Sequence, residues 1–461
     1  MGGFANFALS FSIISILTGA VTLYGDGLRG GGPLVMSVGW PLVTLLTLPI
    51  AASLAQLASS FPTAGALYHW SAMLGGPGWG FATAWLNTMG QVAITAGIDF
   101  GLAKFVVPML GLPETQGVLM AVYAVILVSH AVLNHVGVHV VAALNWISAW
   151  YHLAGVALMV VALAIVAPWQ PARFLLTAVS SGEHPSLFGH FYAYGFAEGL
   201  LQAGFTFTGY DASAHVTEET VDPTRNAPWG IFLSVAVSGV AGFALVVAVT
   251  LAIGDLAAAQ AAPNPFIYVL RTALGERLGS ALVWLAMGAM WFCGLASVTS
   301  NSRMLFAFAR DGGVPGGAYL ARVSPRWRSP HVAVWVSVLA AFAVTLPVDR
   351  VGAIAALATI ALYASYALPI FLGLRARRAG RWIKFGPWDL GRWSTAANVV
   401  ALGWIAVAFV LFILPPNLLA AYLLAGGLAL LAVYWFAWMR GRFRGPKVAL
   451  DAVEHQERAA D

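Results

Sequence analysis

Long stretches without charged side chains dominate this chain and limit what it can fold into. Of its 461 residues, 60% are hydrophobic and 9% are charged, with a mean hydropathy of +0.81. A soluble domain carries about 25% charged residues. Because the charges cluster, roughly twelve stretches remain that match the ~20 apolar residues a spanning helix needs. The sequence predicts an all-α polytopic membrane protein with about 12 transmembrane helices.

The hydropathy pattern predicts spans with these approximate bounds: 7–26, 34–59, 79–110, 117–135, 141–167, 191–216, 228–254, 278–309, 332–347, 351–374, 396–414 and 417–439. Residues Phe61–Leu74 are too short and too polar to span, and they predict an amphipathic helix on the inner face. We expect one membrane domain over 1–446 and a polar, disordered tail over 447–461. The domain divides into halves at about 7–167 and 191–374, with extra helices at about 396–439.

Basic residues concentrate in four loops, separated from one another by even numbers of spans. Fifteen of the 23 Lys and Arg residues lie there: Arg225; Arg310, Arg322, Arg326 and Arg328; Arg375, Arg377, Arg378, Arg381, Lys384 and Arg392; Arg440, Arg442, Arg444 and Lys447. The positive-inside rule places these loops in the cytoplasm. Both termini are then expected to be cytoplasmic, in a plasma (cytoplasmic or inner) membrane. The first apolar run lacks a signal-peptide cleavage site, so we expect it to be the first span.

Two predicted spans contain small and polar residues that a lipid-facing helix does not need. The first span has Ser15, Thr18 and Gly19 near its middle. The sixth span carries a larger group: Thr206, Thr208, Gly209, Tyr210 and Asp211. Glycine-interrupted spans at corresponding positions of two halves indicate a transporter binding site. A broken helix frees N–H groups that suit a carboxylate and carbonyls that suit an ammonium group or a cation. The sequence therefore predicts transport of a polar solute.

These residues also have structural interpretations. Glycine and hydroxyl residues are common where membrane helices pack without any ligand, and this explains Gly19 as well as a break would. It explains the cluster from Gly209 to Asp211 less well. Asp211 is expected either to cap the second half of a broken helix or to contact the ligand directly, and one side chain can do both.

Ionisable residues inside spans are candidates for binding a coupling ion, because a charge in lipid is costly. The sequence places Asp99 in the third span, His152 in the fifth and Glu198 in the sixth. His152 could carry a proton at physiological pH, although a lone histidine is more often structural. Asp99 and Glu198 could instead pair with hydroxyl groups or line water.

Other polar groups give weaker signals. Three hydroxyl side chains of the eighth span could supply oxygens to Na⁺ or bond back to their own helix: Ser297, Thr299 and Ser300. Glu218 and Glu219 are expected to join a cytoplasmic salt-bridge network with Arg225 or a nearby loop. The single cysteine, Cys293, excludes disulfides and fits a small core residue. The sequence contains no metal-ligand cluster, phosphate loop or nucleophile elbow, so we expect no cofactor, no bound metal and no enzyme.

A series of motifs runs in order along most of the chain. The motifs are S-F-S-I-I-S at 10–15, S-S-F-P-T-A-G-A-L-Y-H-W-S-A at 59–72, G-Q-V-A at 90–93, L-N-W-I-S-A-W-Y-H-L-A-G at 144–155, T-G-Y-D-A-S-A-H-V-T-E-E-T at 208–220, R-N-A-P-W at 225–229, S-R-M-L-F-A-F-A-R-D-G-G-V-P at 302–315 and L-Y-A-S-Y-A-L-P-I at 362–370. Together they resemble the amino acid–polyamine–organocation superfamily, and within it the amino acid/choline transporter family, whose fungal members include GABA and choline permeases.

The resemblance implies a leucine-transporter-like fold, with two inverted five-helix halves, two extra helices and alternating access. By position it implies that these residues meet the substrate: Ser15, Leu17, Thr18 and Gly19 of the first helix, and Phe207, Thr208, Gly209 and Tyr210 of the sixth. The first break departs from the family pattern, since I-L-T-G-A stands where many members carry G-S-G. The tail before the first span is also shorter than usual.

The favoured interpretation is a secondary permease for an amino acid or related organic amine, coupled to H⁺ (or to Na⁺) or working as an exchanger. The alternatives are a choline or polyamine permease, and a channel or solute sensor on the same fold. A membrane enzyme is disfavoured by the lack of a nucleophile–base or metal constellation. The expected partners are a small-molecule substrate, a coupling ion and membrane lipid, and no nucleic acid.

Overall fold

A computed structural model describes residues 2–63, 65–180, 192–348 and 350–446 of the chain. The described part is helical and contains no β-strand. The tail predicted over 447–461 lies outside the described residues.

The described residues up to 180 form eight α-helices: α1 (Gly3–Ile14), α2 (Ile16–Thr22), α3 (Tyr24–Gly31), α4 (Trp40–Ser60), α5 (Ala66–Gly75), α6 (Pro77–Met109), α7 (Gln116–Val136) and α8 (Val138–Val166). A π-helical turn, Val35–Gly39, leads directly into α4, and a 3₁₀ turn, Ala172–Leu176, follows α8.

The described chain from residue 192 onward forms twelve more: α9 (Tyr192–Gly199), α10 (Leu201–Thr206), α11 (Ala212–His215), α12 (Pro223–Leu251), α13 (Leu256–Ala261), α14 (Pro265–Leu274), α15 (Glu276–Arg310), α16 (Gly317–Leu320), α17 (His331–Thr345), α18 (Val351–Arg378), α19 (Ser394–Ile413) and α20 (Leu418–Tyr434). Short 3₁₀ turns cover Thr217–Glu219 and Gly391–Trp393, and a π-helical turn, Trp435–Met439, follows α20.

Ten helical segments of the described chain are long and apolar enough to cross a membrane. They coincide closely with ten of the predicted spans, for example Pro77–Met109 where 79–110 was expected. The other two predicted spans differ for physical reasons. The span at 191–216 is divided among α9, α10 and α11, and α17 has 15 residues, fewer than the ~20 that cross a bilayer without thinning it. The chain is a multi-pass, all-α membrane protein.

The two ends of the helix bundle differ in charge. We call the end that holds Arg225, Arg310, Arg375–Arg378 and Arg440–Arg444 the basic end, and the end that holds α3 and α14 the opposite end. The amphipathic helix predicted at Phe61–Leu74 forms as α5 at the basic end. It does not lie on a bilayer surface, because it packs against α6 and α18 and buries its aromatic side chains within the protein.

Three long helices surround the short segments at the centre of the bundle. Helix α6 contacts both α15 and α18, α1 and α2 pack on α15, and α10 packs on α18. Most of the spanning part of α6 and of α18 is buried inside the protein, whereas only 11% of that of α20 is buried. Helices α1, α2, α10 and α11 are therefore held in a protein interior, where irregular backbone is tolerated in a membrane protein.

Close packing of α12 on α4 depends on a glycine. The Trp40 indole N–H donates to the Gly239 carbonyl (3.0 Å), which brings its ring onto Gly242. A Cβ at Gly242 would overlap the ring and lie 2.9 Å from Trp40 Cε2. The glycine therefore lets the two helices approach closely.

We expect Gly242→Ala to lower the thermal unfolding temperature in detergent, because overpacking costs about 1–3 kcal/mol. Gly403→Ala in α19 is the matched control, since no atom lies within 4 Å of its new methyl group, and alanine favours a helix by about 1 kcal/mol over glycine. Equal shifts in the two variants would contradict the packing argument.

Candidate functional site

The first membrane helix is interrupted at Ser15, between α1 and α2. Ser15 has a φ of 30°, which a residue with a side chain seldom adopts. Its carbonyl accepts hydrogen bonds from the N–H groups of Thr18 (2.8 Å) and Gly19 (2.9 Å). The carbonyl of Ile13 accepts one from the thiol of Cys293 (3.2 Å). A backbone acceptor freed by the break is thus satisfied by a side chain of α15.

His152 of α8 lies against this break and is buried. Its Nδ1 lies 2.7 Å from the Ser148 carbonyl oxygen, which can only accept, so Nδ1 carries the proton. Nε2 then accepts a hydrogen bond from the Ser15 hydroxyl (2.6 Å), which accepts one from the Thr18 hydroxyl (2.6 Å). Three predicted residues are therefore joined in one chain of hydrogen bonds, and both ring nitrogens of His152 have partners.

The second interruption lies between α10 and α11, over residues 207–211. Gly209 adopts a φ of 81° there, in the left-handed region that favours glycine. Its N–H donates to the Tyr366 hydroxyl of α18 (3.1 Å), and that hydroxyl donates to Oδ1 of Asp211 (2.8 Å). A tyrosine from a distant helix therefore connects the freed backbone to the only acid in the break.

Asp211 does not cap α11, because its side chain makes no hydrogen bond to the first turn of that helix. Its Oδ2 instead accepts from Asn87 (3.0 Å), His215 (3.1 Å) and, more distantly, Gln91 (3.5 Å). The carboxylate is fully buried and has donors on both oxygens. Such a group is stabilised in its charged form by its own protein.

The two interruptions face each other. Gly19 lies against Thr206, so that a Cβ on Gly19 would lie 2.7 Å from the Thr206 Cα. Gly209 lies in the same way against the side chain of Ile13. Each break therefore contacts the opposite helix through a glycine that has no room for a side chain.

Polar side chains also join the two broken helices on either side of the breaks. The Ser10 hydroxyl donates to the Tyr210 carbonyl (2.8 Å) and accepts from the Ser213 N–H (2.8 Å). On the other side, the Gln202 amide donates to the Ala20 carbonyl (2.7 Å). The two broken helices are consequently joined by hydrogen bonds on both sides of the breaks.

The remaining predicted binding residues are buried around the breaks. The Phe207 ring packs on a tryptophan of α4 (centroids 5.2 Å apart), and Leu17 contacts α8. The Thr208 hydroxyl donates to a carbonyl of its own segment (2.6 Å). The Tyr210 ring packs on Tyr366 (5.1 Å), and its hydroxyl has no hydrogen-bond partner among the described residues. Tyr210 therefore offers an uncommitted polar group at the second break.

The three hydroxyl residues proposed for Na⁺ do not converge on one point. Ser297 pairs with Thr95 of α6 (2.8 Å), whereas Thr299 donates to Asn134 of α7 (2.7 Å). The Ser300 hydroxyl has no partner within the described chain. Hydroxyls aimed at different helices do not form the oxygen cage that a cation needs.

The other two acidic candidates lie in different environments. Asp99 in the middle of α6 contacts His130 of α7, with Oδ2 and Nδ1 3.1 Å apart. Glu198 lies in α9, nearer the opposite end, and is partly exposed beside Tyr194. Asp99 is therefore held in the protein interior, whereas Glu198 is half-buried, with its Oε1 enclosed by protein.

Sequence reasoning missed four side chains that complete these clusters: Asn87, Gln91, His130 and Tyr366. Asn87 and Gln91 are amides four residues apart in a span, which places them on one helix face, and His130 is an ionisable residue in an apolar run. The spacing of the two amides and the position of His130 can both be read from the sequence. Tyr366 lies in the 362–370 motif, but only the fold brings it to Asp211.

A cavity of about 900 Å³ opens at the opposite end. Its lining carries six charged side chains: Asp26, Arg29, Lys104, Glu114, Arg271 and Arg350. At its inner limit it reaches Val21 and Thr22 of α2 and Gly101 of α6. Val21 lies nearly two helical turns, about 9 Å of helix, beyond the first break at Ser15. One end of the bundle is therefore open to within about two helical turns of the first break.

Ion pairs close the basic end. Glu219, just after the second broken helix, pairs with Arg303 of α15 (2.9 Å), and Glu218 pairs with Arg310 (3.7 Å). The expected salt-bridge network therefore exists, but its arginines come from α15. Arg225 pairs instead with a neighbouring aspartate.

A buried cluster beside these pairs joins α5 to the end of α15. Asp311 accepts hydrogen bonds from Tyr68 and from His69 Nε2 (3.2 Å). Burial lowers the pKa of His69 below its ordinary value, because desolvation of the imidazolium outweighs the attraction of Asp311. Burial alone would raise the pKa of Asp311, but the hydrogen bonds from His69 and Tyr68 outweigh it and hold the pKa below its ordinary value. A neutral histidine thus donates to a charged carboxylate.

No group of three or more His, Cys, Asp or Glu side chains that could hold a metal ion occurs within residues 2–63, 65–180, 192–348 and 350–446. The arrangement is suited to binding a small polar molecule between backbone groups of two broken helices.

Comparison with known proteins gives a consistent result. A family model described as amino acid permease matches residues 2–438. The chain is 35% identical to an amino-acid permease BAT1 homolog of Oryza sativa subsp. japonica, over 97% of this chain and 92% of that protein. It is also 35% identical to the amino-acid permease BAT1 of Arabidopsis thaliana, over 96% and 92%. A GABA-specific permease of Saccharomyces cerevisiae is 26% identical, over 98% and 83%.

The His69 cluster predicts a pH dependence of stability. Because the pKa of His69 is lowered in the folded protein, the unfolded chain takes up the proton first as the pH falls below about 6.5, and stability is lost there. We expect the unfolding temperature of the wild type to fall between about pH 7.5 and about pH 5.5 more steeply than that of His69→Gln. Parallel profiles of the two proteins would contradict this.

Proposed function

The chain belongs to the amino acid permease family of the amino acid–polyamine–organocation superfamily, and from this premise we propose that it moves an amino acid or a related organic amine across a membrane by alternating access. The family model extends over nearly the whole chain, and the plant relatives align along most of their own length. These relatives are permeases, so the chain is a transporter and not an enzyme.

The pair of facing helix interruptions is the observation that carries this proposal. Helix ends carry partial charges, positive where N–H groups are free and negative where carbonyls are free. A zwitterion carries both signs and can be held by two such ends without a charged side chain. The uncommitted Tyr210 hydroxyl would add one further polar contact. The predicted set of Ser15, Leu17, Thr18 and Gly19 with Phe207–Asp211 remains our proposed binding site.

The environment of Asp211 favours a zwitterionic over a purely cationic substrate. A cation such as choline or a polyamine would need an acid to neutralise it inside the membrane. Both oxygens of Asp211 already have donors from Tyr366, Asn87 and His215. We therefore place neutral amino acids first, including GABA, which the name of the yeast relative specifies, and organic cations second.

Access to the site is proposed to alternate between the two ends. The open cavity at one end and the ion pairs at the other support a form that opens away from the basic end. The positive-inside rule assigns the basic end and both termini to the cytoplasm. The open cavity would then face outward from a plasma or inner membrane. Coupling to a proton gradient and exchange both remain compatible with this cycle.

We expect the purified protein in liposomes to take up a labelled neutral amino acid from a panel of GABA, neutral, acidic and basic amino acids, putrescine and choline. Uptake should be measured with an inward proton gradient, without a gradient, and with unlabelled substrate inside. Uptake of choline or putrescine alone would overturn the zwitterion assignment. No uptake of any compound would overturn amine transport.

The single cysteine gives a direct test of the binding site. Cys293 is buried and its thiol bonds the carbonyl at the first break, so a small methanethiosulfonate reagent should reach it only when the site opens. We expect a transported amino acid at saturation to slow labelling, while an amino acid that is not transported has no effect. Cys293→Ala is the control for labelling elsewhere. Labelling that ignores the transported substrate would place the site away from this break.

A further inference from the structure

A buried acid–histidine pair lies in the middle of the membrane domain, apart from the two breaks. Asp99 of α6 and His130 of α7 meet with Oδ2 and Nδ1 3.1 Å apart, and both side chains are fully buried. Asp99 lies ten residues before the end of α6, about 15 Å of helix. A charge held there is costly unless it is neutralised.

The two side chains are only half satisfied. Oδ1 of Asp99 and Nε2 of His130 have no hydrogen-bond partner among the described residues. Asp211 differs, because donors reach both of its oxygens, and so does His152, whose two nitrogens both have partners. Glu198 is partly exposed. The buried His69–Asp311 pair at the basic end also has unpartnered atoms, but Arg310 lies beside Oδ1 of Asp311 (3.9 Å). In the described part of the chain, Asp99–His130 is therefore the acid–histidine pair in the interior of the membrane domain that has a free proton-accepting atom on each partner.

We propose that the Asp99–His130 pair is the proton-binding site that couples this transporter to a proton gradient, an inference that rests on the proposed transport function. With one shared proton the pair carries one negative charge: a carboxylate and a neutral imidazole. One further proton, delivered by water to His130 Nε2 or to Asp99 Oδ1, forms one N–H or O–H bond and leaves the pair neutral overall. A pair without net charge can move relative to its neighbours during the transport cycle at a lower cost than a charged pair, because a net charge is unfavourable in a low-dielectric interior.

Few other titratable groups face the pair. Tyr123 approaches from α7 and Cys293 from α15. Each donates its hydrogen to a carbonyl, Tyr123 to Ala341 (2.8 Å) and Cys293 to Ile13 (3.2 Å). Lys104, on α6 itself, lies over the Phe100 ring, more than a turn away. The tyrosine and the thiol are neutral at physiological pH, so the proton is exchanged by Asp99 and His130.

The pair is mechanically connected to the first break. Gly294 of α15 packs against it so closely that a Cβ there would overlap Oδ1 of Asp99 and lie 2.6 Å from Cε1 of His130. The preceding residue, Cys293, bonds the carbonyl freed at the break. A change in charge at the pair therefore acts on α15 one residue from its contact with the broken helix.

The cavity at the opposite end is the side from which solvent comes nearest to the pair. Its inner limit includes Gly101, two residues beyond Asp99 on α6. At the other end, the ion pairs of Glu218 and Glu219 close the bundle. Protons in this form of the protein therefore approach from the side on which the cavity opens.

The test compares gradient-driven uptake with exchange in liposomes. We expect Asp99→Asn and His130→Gln to lose the stimulation by an inward proton gradient, while exchange of internal for external substrate is retained. Asp99→Glu should keep part of the stimulation, because it keeps the carboxyl group. Asp255→Asn is the matched control, since Asp255 caps α13 at the opposite end and asparagine caps equally well.

The outcomes separate this inference from the function on which it rests. Gradient stimulation that persists in Asp99→Asn would overturn the proton site and leave the permease intact. A wild-type protein that only exchanges substrate, with no effect of the proton gradient, would also overturn the proton site and leave the permease function intact. A wild type that neither takes up nor exchanges any compound of the panel would overturn the proposed function, and the coupling role with it.

A spectroscopic measurement tests proton binding without transport. The Trp291 ring lies 5.2 Å from the ring of His130, and an imidazolium quenches indole fluorescence more than a neutral imidazole does. The signal of Trp291, isolated by subtracting Trp291→Phe from the wild type, should decrease as the pH falls. The decrease should vanish in Asp99→Asn and His130→Gln. A pH-dependent Trp291 signal that survives in both variants would overturn the site.

Discussion

The hydrogen-bonding demand of the backbone inside a membrane is the constraint on which the rest of this structure depends. A peptide group without a partner in the bilayer costs several kcal/mol, so a helix can be broken only where other groups complete its hydrogen bonds. At the first break, the Cys293 thiol and the Ser15 carbonyl supply the partners. At the second, Tyr366 accepts from Gly209 and donates to Asp211. Helices α6, α15 and α18 surround the breaks and shield them from lipid, which is the condition under which a membrane helix can be interrupted.

The number of hydrogen bonds to each carboxylate also distinguishes the two buried aspartates in the interior of the membrane domain. Asp211 receives donors on both oxygens, and it can remain charged while it holds the second break in place. Asp99 receives one donor, and its other oxygen has no partner within the described part of the chain. Two aspartates of equal burial therefore differ in the number of hydrogen bonds that their oxygens receive. On that difference rests our proposal that Asp211 holds the second break in place and that Asp99 takes part in proton exchange.

Most of the helices could be predicted because hydropathy and length are local properties of the chain. Helix α6 begins two residues before the predicted third span and ends one before its end. The interrupted sixth span was recognisable because Gly209 and Asp211 are out of place in lipid. The role of Asp211 as a cap was one of two expectations, and the cap is absent because Asn87, His215 and Tyr366 are better placed to reach its carboxylate. The site residues were named by position, but their partners lie on other helices.

By itself the sequence determined that the chain crosses the membrane many times and which loops carry the positive charge. It also indicated where two helices break. Apolar length, Lys/Arg content and glycine placement are local properties that can be read from the sequence alone. Only the tertiary structure decided which groups meet. It brought His152 to Ser15, Tyr366 to Asp211 and His130 to Asp99, each across distant helices. Hydrogen bonds act over about 3 Å, and no local pattern specifies which side chains of separate helices come that close.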